Sequence, residues 1–171
     1  MKTIYLAGPD VFFPGPSAHF DKLEALCRMH GLQGLRPSDG GLSKGASGTG
    51  DEISERIYQA NVELLRRCDG VLANLQPFRN PLEADSGTVF EVGFAVALGR
   101  PVAAVLPDLT KYEDRIIRHC GCNGRVDGVN LDREGFMIEE FGQPLNLMLA
   151  RSISVFDHTD KALAHLASLL N

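Results

Sequence analysis

The sequence lacks any run of lysine or arginine residues, and its 17 basic side chains are outnumbered by 22 acidic ones. The resulting net charge of -5 argues against a nucleic acid or a membrane surface as an electrostatically bound partner. The longest apolar stretch, around residues 92–98, is too short to span a bilayer. The apolar run at the N-terminus ends at Pro9, which does not fit a signal peptide, so we expect a cytoplasmic protein.

Cysteine is scarce, and its spacing argues against a metal site. The sequence has four cysteines, which should be reduced in a cytosolic chain. The segment His119-Cys-Gly-Cys122 has one residue between its two thiols. Zinc sites typically use C-x-x-C pairs, and no second pair exists here. We therefore expect neither a metal nor a cofactor.

The usual phosphate-binding glycine motifs are also missing. Residues 39–50 are rich in glycine and serine but contain neither GxGxxG nor GxxxxGK[ST]. This excludes a dinucleotide-binding or P-loop interpretation. The segment is predicted to be a mobile loop, and two interpretations stay open: an inert linker or a lid over a ligand.

Short apolar segments alternate with amphipathic ones along the first two thirds of the chain. Strands are predicted over 4–7, 71–75 and 101–106, and helices over 16–29, 51–68 and 86–98, with Asp51 and Ser86 as expected N-caps. Further helices are predicted over 111–118, 143–150 and up to about 170. This alternation predicts one α/β domain over residues 1–171, a doubly wound parallel sheet of the flavodoxin or Rossmann type with helices on both faces.

Two carboxylates flank the predicted start of the third helix. Asp85 lies in the preceding turn and Glu91 within the first turns. Helical side chains lean toward the N-terminus, where the partial positive charge favours an ionised Glu91. An ionised carboxylate beside a protonated one can cleave a glycosidic bond. The alternative is that Glu91 is a surface residue stabilised by the helix dipole.

The chain resembles the nucleoside 2-deoxyribosyltransferase family over about residues 4 to 150. The resemblance rests on an ordered set of motifs at matching spacings: Tyr5-Leu-Ala-Gly-Pro-Asp-Val-Phe12, Asn61, Cys68-Asp-Gly-Val-Leu-Ala-Asn-Leu75, Pro77-Phe-Arg79, Asp85-x5-Glu91-x-Gly93, and Pro144-Leu-Asn-Leu-Met148. No single motif is decisive; the order and the spacing carry the resemblance.

The resemblance implies exchange of the base of a 2'-deoxynucleoside through a covalent deoxyribosyl-enzyme intermediate. Glu91 matches the nucleophile, and Asp85 matches a residue that contacts the base and protonates it. Asn61 stands where some members have an aspartate that contacts the base. Tyr5 matches a strand residue near the nucleophile. Asn146 matches an asparagine that reaches the site of a neighbouring subunit, which implies a homodimer or a higher homo-oligomer.

Further residues are predicted to contact the deoxynucleoside or the free nucleobase. They lie near the expected sheet edge or in the matching motifs: Gly8, Asp10, Phe12, Phe78, Ser86, Gly87 and Met148. Several have plain structural alternatives. Asn146 could cap its local backbone, Tyr5 could be core packing, and the aromatic residues could belong to the core or an interface.

Two further functions stay open. The first is hydrolysis of a 2'-deoxynucleoside or its 5'-monophosphate through the same intermediate, in which case Arg79 or Ser152 could meet a phosphate. The second is a non-catalytic nucleotide sensor, which predicts loss of Asp85 or Glu91, whereas both are present. Asp85 could donate a proton at neutral pH only if burial or the nearby Glu91 favours its protonated form.

Overall fold

The computed structural model describes residues 1–37 and 47–170. Its main sheet has five strands in the order β2-β1-β3-β4-β7, and every neighbouring pair is parallel. A separate antiparallel pair joins two short strands, β5 and β6. The strands are β1 Lys2–Ala7, β2 Leu32–Leu35, β3 Gly70–Asn74, β4 Val102–Val105, β5 Arg125–Val126, β6 Val129–Asn130 and β7 Ser154–Phe156.

Six α-helices connect and cover these strands within the described ranges. They are α1 Pro16–Met29, α2 Gly50–Arg67, α3 Ser86–Ala97, α4 Tyr112–Cys120, α5 Leu147–Ser152 and α6 Thr159–Leu170. A single turn of 3-10 helix, Pro9–Phe12, follows β1. None of the helices in the described ranges has the length and hydropathy needed to cross a bilayer.

Alternate residues of the central strands face opposite sides of the sheet, as strand geometry requires. Tyr5 and Ala7 pack with α2 and α3, whereas Ile4 and Leu6 pack with α1 and α6. The central strands are therefore apolar at nearly every position, as is typical of a parallel sheet covered on both faces. The predicted doubly wound α/β fold is confirmed.

Three helix starts differ from the sequence prediction. Thr49, not Asp51, caps α2, because its hydroxyl and the Glu52 carboxylate form a reciprocal capping box. Asp85, not Ser86, caps α3. The predicted helix over 143–150 begins only at Leu147, after the N-cap Asn146.

Two strands of the main sheet escaped prediction. The sequence Leu-Gln-Gly-Leu of β2 is short and has no clear alternation. Its Gly34 packs so closely that a Cβ there would lie 3.2 Å from Cys27 Sγ and Leu6 Cδ1. The edge strand β7 has only three residues. The predicted lid or linker over 39–50 lies mostly outside the described residues.

Candidate active site

Glu91 lies in the second turn of α3 and is held by a tyrosine from the sheet. Tyr5 on β1 is fully buried, and its hydroxyl donates a hydrogen bond of 2.6 Å to Glu91 Oε1. The contact joins residues 86 positions apart in the sequence. Tyr5 is thus part of the core and also a direct partner of the carboxylate.

The surroundings of Glu91 favour its protonated form. Its pKa is raised from 4.5 to about 7 as the net of three effects: burial raises it, the hydrogen bond from Tyr5 lowers it, and the negative charge of Asp85 raises it. Burial also raises the pKa of Tyr5 above its ordinary value, with Glu91 adding to the effect. The positive end of the α3 dipole favours ionised Glu91, as the sequence suggested, whereas burial acts in the opposite direction.

Asp85 has a structural role in addition to any chemical one. As the N-cap of α3, its Oδ2 accepts hydrogen bonds from Thr88 N at 2.9 Å and Thr88 Oγ1 at 3.0 Å. Both bonds go to one oxygen. The other carboxylate oxygen therefore has no bond from Thr88.

Asp85 and Glu91 line the same cavity, which has a volume of about 250 Å³. It lies on the face of the sheet covered by α2 and α3, beyond the carboxyl end of β1, where doubly wound folds bind ligands. Its lining combines polar and apolar groups: Gly8, Val11, Phe12, Pro37, Ile57, Asn61, Arg79, Asp85, Gly87, Thr88 and Glu91. Within the described ranges, no cluster of three or more His, Cys, Asp or Glu side chains has the arrangement to hold a metal ion.

Two predicted glycines lie where neighbouring atoms leave little room for a side chain. A Cβ at Gly8 would lie 2.9 Å from the Asn74 Cβ and would also collide with the Asp10 carboxylate. A Cβ at Gly87 would lie 3.0 Å from Asp85 Oδ2. Both positions bring backbone close to the cavity, and Gly8 admits no larger residue.

Of the two aromatic residues predicted to contact substrate, one lines the cavity and the other packs against it. Phe12 lines the cavity, is 49% exposed and stacks on Phe78, with the ring centroids 5.7 Å apart. Phe78 lies outside the cavity lining. The Arg79 guanidinium lies over both rings.

Asp10 lies on the other side of the sheet from Glu91. Its buried carboxylate is 2.5 Å from His19 Nε2 and accepts from Asn74 Nδ2 at 3.1 Å. These side chains line a second cavity of about 340 Å³, between α1 and α6. Asp10 therefore supports the close packing at Gly8 rather than lining the cavity of Glu91.

Three other predicted residues also lie away from this cavity within one chain. Asn146 caps α5, its side chain accepting from Leu149 N at 3.2 Å. Met148 on α5 is 75% exposed, and Ser86 is exposed on the first turn of α3. A contribution of Asn146 and Met148 to a neighbouring subunit's site stays a prediction.

Five lining residues were not among the predicted substrate contacts: Val11, Pro37, Ile57, Arg79 and Thr88. Three of them are apolar and have no sequence signal that separates them from core residues. Thr88 stands three residues after Asp85, the spacing at which an N-cap meets its backbone partner, so the capping pattern could have indicated it. Arg79 belongs to a motif of the resemblance, and the sequence indicated it only as a phosphate contact for the alternative hydrolytic function.

Comparisons with known proteins show which family and fold this chain shares. The family model for nucleoside 2-deoxyribosyltransferase matches residues 4–148. A 2-deoxyribosyltransferase structure from Leishmania mexicana is 33% identical, with a TM-score of 0.72 over 98% of both chains. An uncharacterized protein of Schizosaccharomyces pombe is 30% identical over 98% of this chain and 90% of its own length.

A 2-deoxyribosyltransferase from Bacillus psychrosaccharolyticus, at 21% identity and a TM-score of 0.59 over 96% of this chain and 95% of its own, shares the fold. The family model covers most of the chain, and the resemblance seen in the sequence motifs is confirmed. The chain belongs to the nucleoside 2-deoxyribosyltransferase family.

Proposed function

We propose that this protein transfers 2-deoxyribose between the nucleobases of 2'-deoxynucleosides, with Glu91 as nucleophile and Asp85 as proton donor. The main support is the buried Glu91 carboxylate, bonded to Tyr5 and lining one cavity with Asp85. Members of the family act on nucleosides and nucleobases. A retaining glycosyl transfer needs one nucleophilic carboxylate and one proton donor, and the two carboxyl groups that line this cavity are our candidates for these roles.

In the first half-reaction, a Glu91 oxygen attacks the anomeric carbon of the deoxyribose. The carbon–nitrogen bond to the base breaks, and its electron pair goes to the base. The departing base takes a proton from Asp85, because an unprotonated base is a poor leaving group. The product is an ester between Glu91 and the sugar.

In the second half-reaction, an incoming base attacks the anomeric carbon, the ester breaks and Glu91 is released as a carboxylate. Asp85 recovers its proton from the incoming base. Two inversions return the original anomer, and the covalent intermediate implies ping-pong kinetics.

Tyr5 serves both halves of this cycle. Its hydroxyl fixes one oxygen of Glu91 and stabilises the ionised form that attacks the sugar. The raised pKa of Glu91 leaves both protonation states populated near neutral pH. An ionised but poorly solvated carboxylate is a more reactive nucleophile than one bonded to several water molecules.

The direct test incubates the protein with deoxyinosine and free adenine and follows all four nucleosides and bases by chromatography. Transfer yields deoxyadenosine and hypoxanthine. Free hypoxanthine without deoxyadenosine would instead indicate hydrolysis, and no change would indicate a non-catalytic nucleotide sensor. A Glu91→Ala variant with full exchange activity would contradict the assignment of the nucleophile.

We also propose that the active unit is a homodimer or a larger homo-oligomer in which Asn146 completes the neighbour's site. The family resemblance supports this, as does the position of Asn146 outside the Glu91 cavity of its own chain. Nearby apolar side chains on the surface, Phe141, Leu147 and Met148, are exposed and offer an interface.

A further inference from the structure

Arg79 is held in an unusual backbone conformation at the edge of the Glu91 cavity. Its φ angle is 60°, in the left-handed region that non-glycine residues seldom occupy. Its guanidinium carbon lies 4.9 Å from the centroid of Phe12 and 4.8 Å from that of Phe78. Strained backbone of this kind persists where the surroundings fix it, and it concentrates at ligand sites.

The stacking orients Arg79 without using its hydrogen-bond donors. A guanidinium that packs its face on aromatic rings keeps five N–H groups available in its plane. Within residues 1–37 and 47–170, no hydrogen bond or ion pair engages these groups. Arg79 therefore lines the cavity as a positioned group that can only donate.

The same loop carries Arg79 and Asp85. A bridge between Pro77 and Ala84 closes the loop, together with a hydrogen bond of 3.1 Å from Phe78 N to Glu83 O. The closed loop thus holds Arg79 and Asp85 at one cavity, which both side chains line. In the proposed function, Asp85 faces the base, so Arg79 also faces the base.

The charge of the cavity favours a neutral acceptor over a phosphate. Among its described lining residues, Arg79 is the one cationic side chain, against the carboxyl groups of Asp85 and Glu91. A phosphate carrying close to two negative charges usually needs several cationic groups or backbone donors. A carbonyl oxygen on the base needs only one donor.

We propose that Arg79 determines base specificity: it donates to a carbonyl oxygen next to the ring nitrogen that Asp85 protonates. This rests on the proposed function. In purines such as hypoxanthine and guanine, the ring nitrogen N7 and the carbonyl oxygen O6 lie side by side, whereas adenine has an amino donor in place of O6. The Arg79 donors therefore face a carbonyl acceptor in the 6-oxopurines, whereas in adenine they face an amino group that is itself a donor.

The experiment measures kcat/KM for deoxyinosine and for deoxyadenosine, with the wild-type protein and with Arg79→Met. Methionine keeps much of the apolar length but has no donor. The wild type should prefer deoxyinosine, and Arg79→Met should lower the ratio of the two values by about 10- to 100-fold. Arg66→Met is the matched control, since Arg66 stacks on Phe94 at 5.9 Å outside the cavity and should not change the ratio.

A second readout does not depend on turnover. In a Glu91→Gln background, calorimetry should show that Arg79→Met weakens binding of deoxyinosine at least tenfold more than binding of deoxyadenosine. The same calorimetry with deoxyinosine 5'-monophosphate tests for a phosphate contact. An unchanged ratio in both assays would overturn the proposal, as would a loss of affinity confined to the monophosphate. Absence of exchange in the wild type would refute the proposed function while the binding assay still tests Arg79.

Discussion

At the residue scale, the chemistry of the site depends on how Tyr5 and burial act against each other on Glu91. Burial favours the protonated acid, and the Tyr5 hydroxyl favours the carboxylate. The balance, a pKa of about 7, places the change of charge within the range in which the protein is expected to work. The site can therefore be tested by moving this pKa.

Tyr5→Phe removes the donor and should raise the pKa of Glu91 further. The limb of the kcat/KM profile that rises with pH should move to higher pH, and activity near pH 6 should fall about tenfold, the loss expected for one hydrogen bond to a charged group. Steady-state kinetics from pH 5 to 9 provides the measurement. Tyr112→Phe is the matched control, because Tyr112 donates to Glu83 outside the cavity; equal shifts in both variants would contradict this role of Tyr5.

Glu91 should also make the folded protein less stable as the pH rises. Its folded-state pKa of about 7 exceeds the ordinary 4.5, so the folded state binds this proton more tightly than the unfolded chain. Its contribution to stability is complete below pH 4.5 and is lost as the pH rises through 7. Glu91→Gln should therefore gain about 1–3 kcal/mol over wild type at pH 8 and little at pH 4, as measured by urea unfolding. A difference independent of pH would contradict the raised pKa.

At the scale of elements, Asp85 joins a structural role to a chemical one. It ends a loop and caps α3, and Asn is as good an N-cap as Asp. The free energy of unfolding of Asp85→Asn should therefore lie within about 0.5 kcal/mol of the wild-type value, whereas that of Asp85→Ala should be about 1 kcal/mol lower. Both should lose at least about 100-fold in kcat, because neither can protonate the base. A pH–rate profile for Asp85→Asn that matches wild type would contradict the role of Asp85 as proton donor.

The elements also show which parts of the fold a sequence reveals. The apolar runs of β1, β3 and β4 and the patterns of α1 and α3 were predicted because local burial repeats within each segment. Strand β2 was missed because its Gly34 is required by contacts with α1 and β1, which only the folded structure brings together. The helix start at Leu147 was misplaced because Asn146 satisfies Leu149 N from outside the helix, whereas Pro144 was expected within the first turn.

The site, like the fold, could be predicted where it depends on neighbouring residues and not where it depends on contacts between distant segments. The pair Asp85 and Glu91 is local in sequence and was identified with its neighbours. The placement of Asp10 was missed, because its partners His19 and Asn74 draw its side chain to the opposite face of the sheet. Phe12, Phe78 and Arg79 form one stack in the fold. Phe12 and Phe78 are 66 positions apart in the sequence, so no local pattern could predict that they meet.

At the scale of the whole molecule, the proposal of a shared site makes a prediction about mixed subunits. Glu91→Ala and Asn146→Ala should each be nearly inactive alone. After the two are mixed and allowed to exchange subunits, activity should rise to about a quarter of wild type, since half of random dimers carry one intact site. The recovery is measured with the deoxyinosine and adenine assay, and no recovery despite proven subunit exchange would place the whole site within one chain.

The central claim is that Glu91 carries the sugar, and trapping that intermediate tests it most directly. The protein is incubated with a 2-fluoro analogue of a deoxynucleoside, digested and analysed by mass spectrometry, with Glu91→Ala as the control. We predict a sugar adduct on the peptide that contains Glu91, formed together with release of the base, and no adduct in the control. Release of base at the wild-type rate without any adduct, or an adduct on another residue, would contradict the account.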